Sequence, residues 1–191
     1  DAFIVHNFRI ASKLTKSYYI GYWSALNYHG LTDEIPNTVF VATKKAKKPL
    51  EILNSKFYFV KLTEKKFFGY RKFEIEGKKV NVSDKEKTIA DCLDHPEHAG
   101  GIDEIAKSIF FNHEELDFNI IEDYLIKMGN SAALKRLGYI LEICGIDYEI
   151  DKSELSKGFN LLDTLSPKKG EYNKDWLLII NKKINPESWM Y

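Results

Sequence analysis

Cysteine is scarce in this sequence: only Cys92 and Cys144 occur among 191 residues. They are far apart and form no CxxC pair, which excludes a disulfide framework and a four-cysteine metal knot. Both fall in apolar helical patterns and are expected as buried small hydrophobes in a reducing compartment. No stretch approaches the roughly 20 apolar residues that a membrane span needs. The opening DAFIVHNFRIASKL has no apolar core of a secretory signal. A cytoplasmic protein with no membrane association is therefore expected. The chain also starts without Met, as a fragment of a longer chain would. Arginine is rare, at Arg9, Arg71 and Arg136 only. There is no internal repeat and no linker rich in Pro, Gly or Ser. No GxSxG, GxxxxGK[ST] or GxGxxG is present, so the common serine-nucleophile and phosphate-cradling motifs are missing. No cofactor and no catalytic residue is expected.

What is present reads as one folded domain. Hydrophobic residues make up 44% and charged residues 29%, an ordinary balance for a chain with a real core. Residues 3–14 predict a short helix with Phe3, Ile10 and Leu14 on its apolar side. Residues 21–29 predict a compact helix with Trp23, Leu26 and, as a further candidate, Tyr22 on one face, ended by Gly30, a natural residue for a left-handed helix end. TVFVAT at 38–43 and KFYFVKL at 56–62 alternate as strands do. RKFEIE at 71–76 and KKVNV at 78–82 flank Gly77 as a hairpin, with Lys78 or Lys79 sharing the turn. Ser83-Asp-Lys-Glu86 has the spacing of a capping box and starts a helix that runs to about Leu93. Further helices are predicted over 102–111, 118–128 and 131–145, and a short one over 153–160. Phe118, Ile121, Leu125 and Met128 stand at helical spacing, as do Leu134, Leu137, Leu141 and Cys144. WLLIIN at 176–181 reads as a buried strand that returns to the first sheet. The expected class is α+β: a mixed sheet of about five strands with a cluster of helices packed on it.

The net charge is zero but unevenly spread. Residues 41–82 carry twelve Lys/Arg against four Asp/Glu, and residues 83–125 carry three against twelve. Blocks of this size can present faces of opposite potential and orient partners, or can be interleaved by the fold as solvated faces. Lys44, Lys45, Lys47 and Lys48, then Lys65, Lys66, Arg71 and Lys72, lie among Phe67, Phe68 and Tyr70, a mixture suited to phosphate contact and base stacking. With so few arginines, contact with DNA would go mainly to the phosphate backbone. The competing structural reading makes Phe67 and Phe68 core and lets the lysines keep an edge soluble.

Enzymatic readings are weaker. Cys92, His95 and His98 have C-x2-H-x2-H spacing, but a structural zinc site needs four ligands, and Pro96 divides these three across a helix end. No metal is expected. Glu74, Glu76 and Lys78 have an E-x-E-x-K pattern that could suggest a metal-dependent nuclease, yet such a site also needs an Asp on a neighbouring strand, and the early candidate, Asp33, lies in a turn. Asp91, Asp94, Asp103 and Glu104 fall on polar sides of amphipathic helices rather than in an obvious dry cleft.

The block Tyr18-Tyr-Ile-Gly-Tyr-Trp-Ser-Ala-Leu-Asn-Tyr-His-Gly-Leu-Thr32 and the strand Thr38–Thr43 resemble AbiEi-family antitoxins. Phe67-Phe-Gly69, Val82–Thr88, Asp91–Glu97 running into Gly100-Gly101, Gly129-Asn130 and Arg136–Tyr139 follow in the same order. Gly170, Tyr172, Trp176 and Asn181 close the pattern, which covers roughly residues 7–181. The resemblance implies a C-terminal antitoxin domain over residues 1–191, without the family's N-terminal winged-helix DNA-binding domain. It also implies a non-catalytic role against a nucleotidyltransferase-like AbiEii toxin, met directly or indirectly, with a part in autoregulating the operon. Asp103, Glu104, Glu114 and Glu115 are the residues expected to face such a partner. The alternatives are a nucleic-acid-binding transcriptional regulator and, further off, a nuclease.

Overall fold

The computed structural model describes residues 2–190, with side chains from Asn7 to Met190. Phe3, placed above on the apolar side of the first helix, lies outside the described side chains. The chain forms two compact units, 1–88 and 89–191, and the class is α+β.

In the first unit, helix α1 (Ala2–Leu14) precedes strand β1 (Tyr18–Ile20), helix α2 (Tyr22–Tyr28) and strands β2 (Thr38–Thr43), β3 (Leu50–Ile52), β4 (Ser55–Lys61), β5 (Tyr70–Ile75) and β6 (Lys78–Ser83). They make a mixed six-stranded sheet in the order β3-β4-β2-β1-β6-β5. β2 and β4 are parallel, as are β1 and β6, while the other neighbours are antiparallel. Alternation decides the faces. Tyr18 and Ile20, Val39 and Val41, Phe57 and Phe59, and Val80 and Val82 join Phe8 and Ala11 of α1 in one core. Tyr19, Phe40 and Tyr58 point to the opposite face.

The predicted helix at 21–29 is present over Tyr22–Tyr28, and Trp23 is the one residue of its expected apolar face that is not fully buried. Tyr22, Ser24, Ala25 and Leu26 are buried and Trp23 is only half-buried. Gly30 takes φ +69°, and the Leu31 N–H closes back on the Leu26 carbonyl at 2.9 Å, the wrap of a Schellman end. The hairpin turn falls on Glu76 and Gly77, both at positive φ. Lys78 and Lys79 are already strand residues, contrary to their expected place in the turn. The cap also moves by one residue. Ser83 ends β6, and its hydroxyl is spent on the Ile20 carbonyl and on Thr88. Asp84 caps helix α3 (Lys85–Asp94) instead, its Oδ1 accepting from the Lys87 N–H at 2.7 Å.

The second unit holds helices α4 (Ile102–Asn112), α5 (Phe118–Met128) and α6 (Ser131–Ile143), and a small sheet of β7 (Asn160–Leu161), β8 (Glu171–Asn173) and β9 (Leu178–Ile180). The helical stripes are as predicted: Phe118, Ile121, Leu125 and Met128 are buried, as are Leu134, Leu137 and Leu141. Cys92 is buried, but Cys144, just beyond α6, is half-exposed. Two expectations fail here. Residues 153–160 contain only a 3-10 turn at Lys152–Glu154 and the start of β7. The C-terminal strand does not return to the first sheet: β9 lies between β7 and β8. The strand itself is shorter than the 176–181 expected, with Trp176 and Leu177 in the turn before it, and of that run only Trp176 and Leu178 are buried; apolarity does not encode a pairing partner.

Arg136 organises this unit from within. Its guanidinium donates to the carbonyls of Leu93, Leu161 and Leu162 at 2.8–3.2 Å. Asn181 works similarly, accepting from the Asp163 N–H and donating back to the Asp163 carbonyl. Lys135, also buried, donates to Ser156 Oγ, the Gly158 carbonyl and Asn160 Oδ1. Among the described residues no helix is long and apolar enough to cross a membrane.

Candidate functional site

The parallel pairing of β2 with β4 brings the segments that follow them to the same end of the sheet, tied by the Leu62 N–H on the Thr43 carbonyl at 2.8 Å. Lys44, Lys45, Lys65 and Lys66 therefore gather there. Lys44 pairs with Glu64 at 2.7 Å and lies over the Phe67 ring at 5.1 Å. Phe67 packs in turn on Tyr19 and Tyr70, each with ring centroids 5.3 Å away. The rest of the basic block is divided. Arg71 stands opposite Val82 and Lys72 opposite Asn81, so adjacent side chains leave opposite faces of the sheet. Lys47 turns toward α1, donating to the Leu14 carbonyl and lying over Phe59 at 4.9 Å. Lys45 and Lys48 are exposed. Lys44 and Lys72 thus belong to one face, and Lys47 and Arg71 to the α1 face.

A cationic feature of the first unit escaped the sequence reading. Arg9, Ser12 and Lys13 of α1 and Lys78 and Lys79 of β6 line a cleft of about 320 Å³. The nearby carboxylate of Glu76 holds Arg9 at 2.8 Å. Glu74 stands across the hairpin from Lys79. These residues are some seventy positions apart, so no local pattern could join them. Lys87 is another cation with a defined setting: fully buried, it donates to Tyr19 Oη at 3.1 Å and lies over the Phe68 ring at 5.0 Å.

In the second unit, Asp103 and Glu104 occupy the first turn of α4, where carboxylates complement the helix dipole. Glu114 and Glu115 lie in the 3-10 turn that directly follows it. The two acidic pairs thus stand at opposite ends of α4, with exposed Lys107 between them in the chain. Phe111 lies between the two acidic pairs and is 55% exposed. Asp103 also pairs with Lys182 at 3.0 Å, and that hydrogen bond raises the lysine's pKa.

The turn after α3 carries a group that composition alone did not assemble. His95, Glu97 and His98 offer ligand atoms that all lie within 4.8 Å of one another. His95 Nδ1 is 2.9 Å from Glu97 Oε1, and the two imidazoles stack with centroids 5.5 Å apart. Thr164 donates to the other Glu97 oxygen at 2.7 Å. Asp94 approaches His95 Nε2 at 3.5 Å and accepts from the Asn130 amide. Burial works against charge on Glu97, but hydrogen bonds from His95 and Thr164 outweigh it and hold the carboxyl at about 2. Burial lowers the pKa of His98, and neighbouring His95 acts in the same direction. Cys92, counted with the two histidines in the sequence motif, is not in this group.

No family model matches the chain, and no curated protein matches it. Among solved structures, it is similar to the crystal structure of the RV2827C protein from Mycobacterium tuberculosis. The TM-score is 0.61 at 11% identity, over 93% of this chain and 67% of that one. At that identity the likeness concerns the fold alone.

Proposed function

We propose that this chain is a non-catalytic antitoxin or regulatory domain of the AbiEi type, which counteracts a nucleotidyltransferase-like toxin through surface charge. The observation that carries the reading is the coincidence of a charge boundary with a fold boundary. Residues 1–88 hold 17 Lys/Arg against 9 Asp/Glu, and residues 89–191 hold 11 against 19. The first unit is thus +8 and the second −8. Oppositely charged compact bodies suit a protein that must meet partners of both signs. A toxin that handles nucleotides or nucleic acid presents positive charge, which the acidic pairs at the ends of α4 complement. Exposed Phe111, flanked by carboxylates, has the make-up of an interface anchor with a polar rim. The ordered resemblance of the sequence blocks to AbiEi antitoxins supports the same reading.

The test is association with a nucleotidyltransferase-type toxin encoded beside this chain, with growth rescue as the second readout. Reversing Asp103, Glu104, Glu114 and Glu115 to Lys should slow association at low salt by about tenfold or more, because rim charges act mainly on encounter. An unchanged on-rate removes this surface from the reading. Absence of both complex and growth rescue removes the antitoxin role.

A second reading, a nucleic-acid-binding regulator module, is favoured by the cationic cleft of Arg9, Lys13, Lys78 and Lys79 and by Lys44, Lys65 and Lys66 at the sheet end. It entails weak duplex binding that collapses as salt rises. Binding that ignores salt, or none at low salt, rejects it.

A further inference from the structure

We propose that His95, Glu97 and His98 form a binding site for a divalent transition metal of the Zn²⁺ class, built on the Pro96–His98 3-10 turn. Two imidazoles and one carboxylate are a borderline-soft donor set, suited to Zn²⁺, Co²⁺ or Ni²⁺ rather than to Mg²⁺ or Ca²⁺. Three protein ligands leave a coordination position for water, as in open zinc sites. Ligand atoms on a tetrahedral zinc at bond lengths of about 2.0–2.2 Å lie about 3.3–3.6 Å apart, and the three here already lie within 4.8 Å of one another.

The surroundings are those of a ligand set already held in place. When His95 binds through Nδ1, the atom that faces Glu97, its Nε2–H is left toward Asp94. A carboxylate behind a ligating imidazole fixes both its tautomer and its ring orientation. Asp94 is itself buried and anchored by Asn130. The Thr164 hydroxyl holds one Glu97 oxygen and leaves the other facing His95. Pro96 opens the turn and is buried, and the His98 and Gly101 N–H groups close on the carbonyls of His95 and Pro96 at 2.9 Å. The backbone that spaces the three ligands is therefore set before any metal arrives. All of these partners belong to the second unit, and the three ligands lie within four consecutive residues of one turn.

The experiment is a titration of the tag-free full chain with Zn²⁺ against a chromogenic chelator, and with Co²⁺ followed by its visible absorption. One equivalent should bind, and Co²⁺ should give the intense bands of a four- or five-coordinate ion. His98→Ala and Glu97→Gln should each weaken binding by more than tenfold. Thr164→Val should weaken it by about tenfold, the scale of losses at groups that orient ligands. Cys92→Ala should leave it unchanged. Circular dichroism of each variant checks the fold, and His95→Gln offers a second variant of similar size. Equal binding by the wild type and a His95→Ala/His98→Ala chain overturns the proposal. So does loss of binding in a folded Cys92→Ala chain, which would mean a different ligand set.

Discussion

Replacing Gly138 with Ala separates helix propensity from packing, because the two predict opposite signs. Gly138 lies inside α6 and is buried. Propensity alone says that Ala should stabilise a helix interior by about 1 kcal/mol. The structure says otherwise. A Cβ built on Gly138 would overlap the six-membered ring of Trp176, standing 2.6 Å from Cε3 and closer still to Cζ3 and Cη2. Carbon pairs are comfortable at about 3.5–4.0 Å, so the ring must retreat by about 1 Å or more. It has little freedom to do so. Trp176 is 5% exposed, its Nε1 donates to Glu142 at 2.6 Å, and Lys152 lies 4.4 Å over the ring. Overpacking costs about 1–3 kcal/mol, and a strained hydrogen bond to a carboxylate adds about 1–2 kcal/mol. After the propensity gain, the variant should be destabilised by about 1–4 kcal/mol. Urea unfolding followed by far-UV circular dichroism and tryptophan fluorescence reads this as a lower midpoint at unchanged slope. The same substitution in a Trp176→Ala background should be neutral or stabilising, since the obstacle is gone and the propensity gain remains. A midpoint that rises for Gly138→Ala alone, or an equal loss in both backgrounds, refutes the packing argument.

Asp84→Ala should cost about 1–2 kcal/mol as a lost helix cap; a change below about 0.5 kcal/mol in thermal unfolding contradicts Asp84 as the cap of α3. Arg136→Lys should destabilise by about 2 kcal/mol or more, because an ammonium cannot serve the carbonyls of Leu93, Leu161 and Leu162 with one planar fork; a change below about 0.5 kcal/mol in chemical denaturation contradicts the assigned role. Burial pushes the Cys144 thiol up to about 11, roughly two units above a free thiol, so at pH 8 a disulfide reagent should modify it about tenfold more slowly than a small thiol, the lower thiolate fraction being partly offset by the greater nucleophilicity of the thiolate; a rate near that of free cysteine is the contrary result.

The long amphipathic helices were legible because a period of 3.6 repeats several times over ten or more residues. Phe118, Ile121, Leu125 and Met128 point inward for that reason. The three residues of β1 or β3 cannot show a period of two; β1 depends on a distant partner, while β3 is folded onto β4 by the two-residue turn at Leu53 and Asn54, both at positive φ. Tyr18 pairs with Thr43, and Leu50 with Phe57. The cap slipped by one residue because a tertiary contact competed for the side chain: Ser83 is drawn to Ile20 across the sheet, leaving Asp84 for the helix. The basic block was legible as a block but not as a surface. Alternation sends Arg71 and Lys72 to opposite faces, and the α1–hairpin cleft joins residues that no local window contains. The histidine turn was half legible. Its spacing drew attention, but Cys92 was counted in and Glu97 was not, since only the fold reveals that α3 buries the one while the 3-10 turn presents the other.

The residues that carry the family resemblance fall largely inside the molecule, and this bears on how far the resemblance reaches. Tyr19 and Lys87 are buried under an aromatic cluster, Arg136 and Asn181 are occupied by backbone groups, and Gly138 exists to admit Trp176. Such positions constrain how the chain packs, so likeness there speaks first for a shared fold. On the proposed reading, recognition falls to what is left outside: the carboxylates around α4, the lysines at the sheet end and in the α1 cleft, and the His95 turn. Apart from that turn, these lie outside the matched blocks. The charge-reversal and metal titrations therefore probe different chemistry from the stability variants, and a chain that kept every buried signature residue could still lose its partners by changing four carboxylates. Specificity in a module of this kind would reside in exterior charge, tuned to one partner at a time, over an interior that need not change.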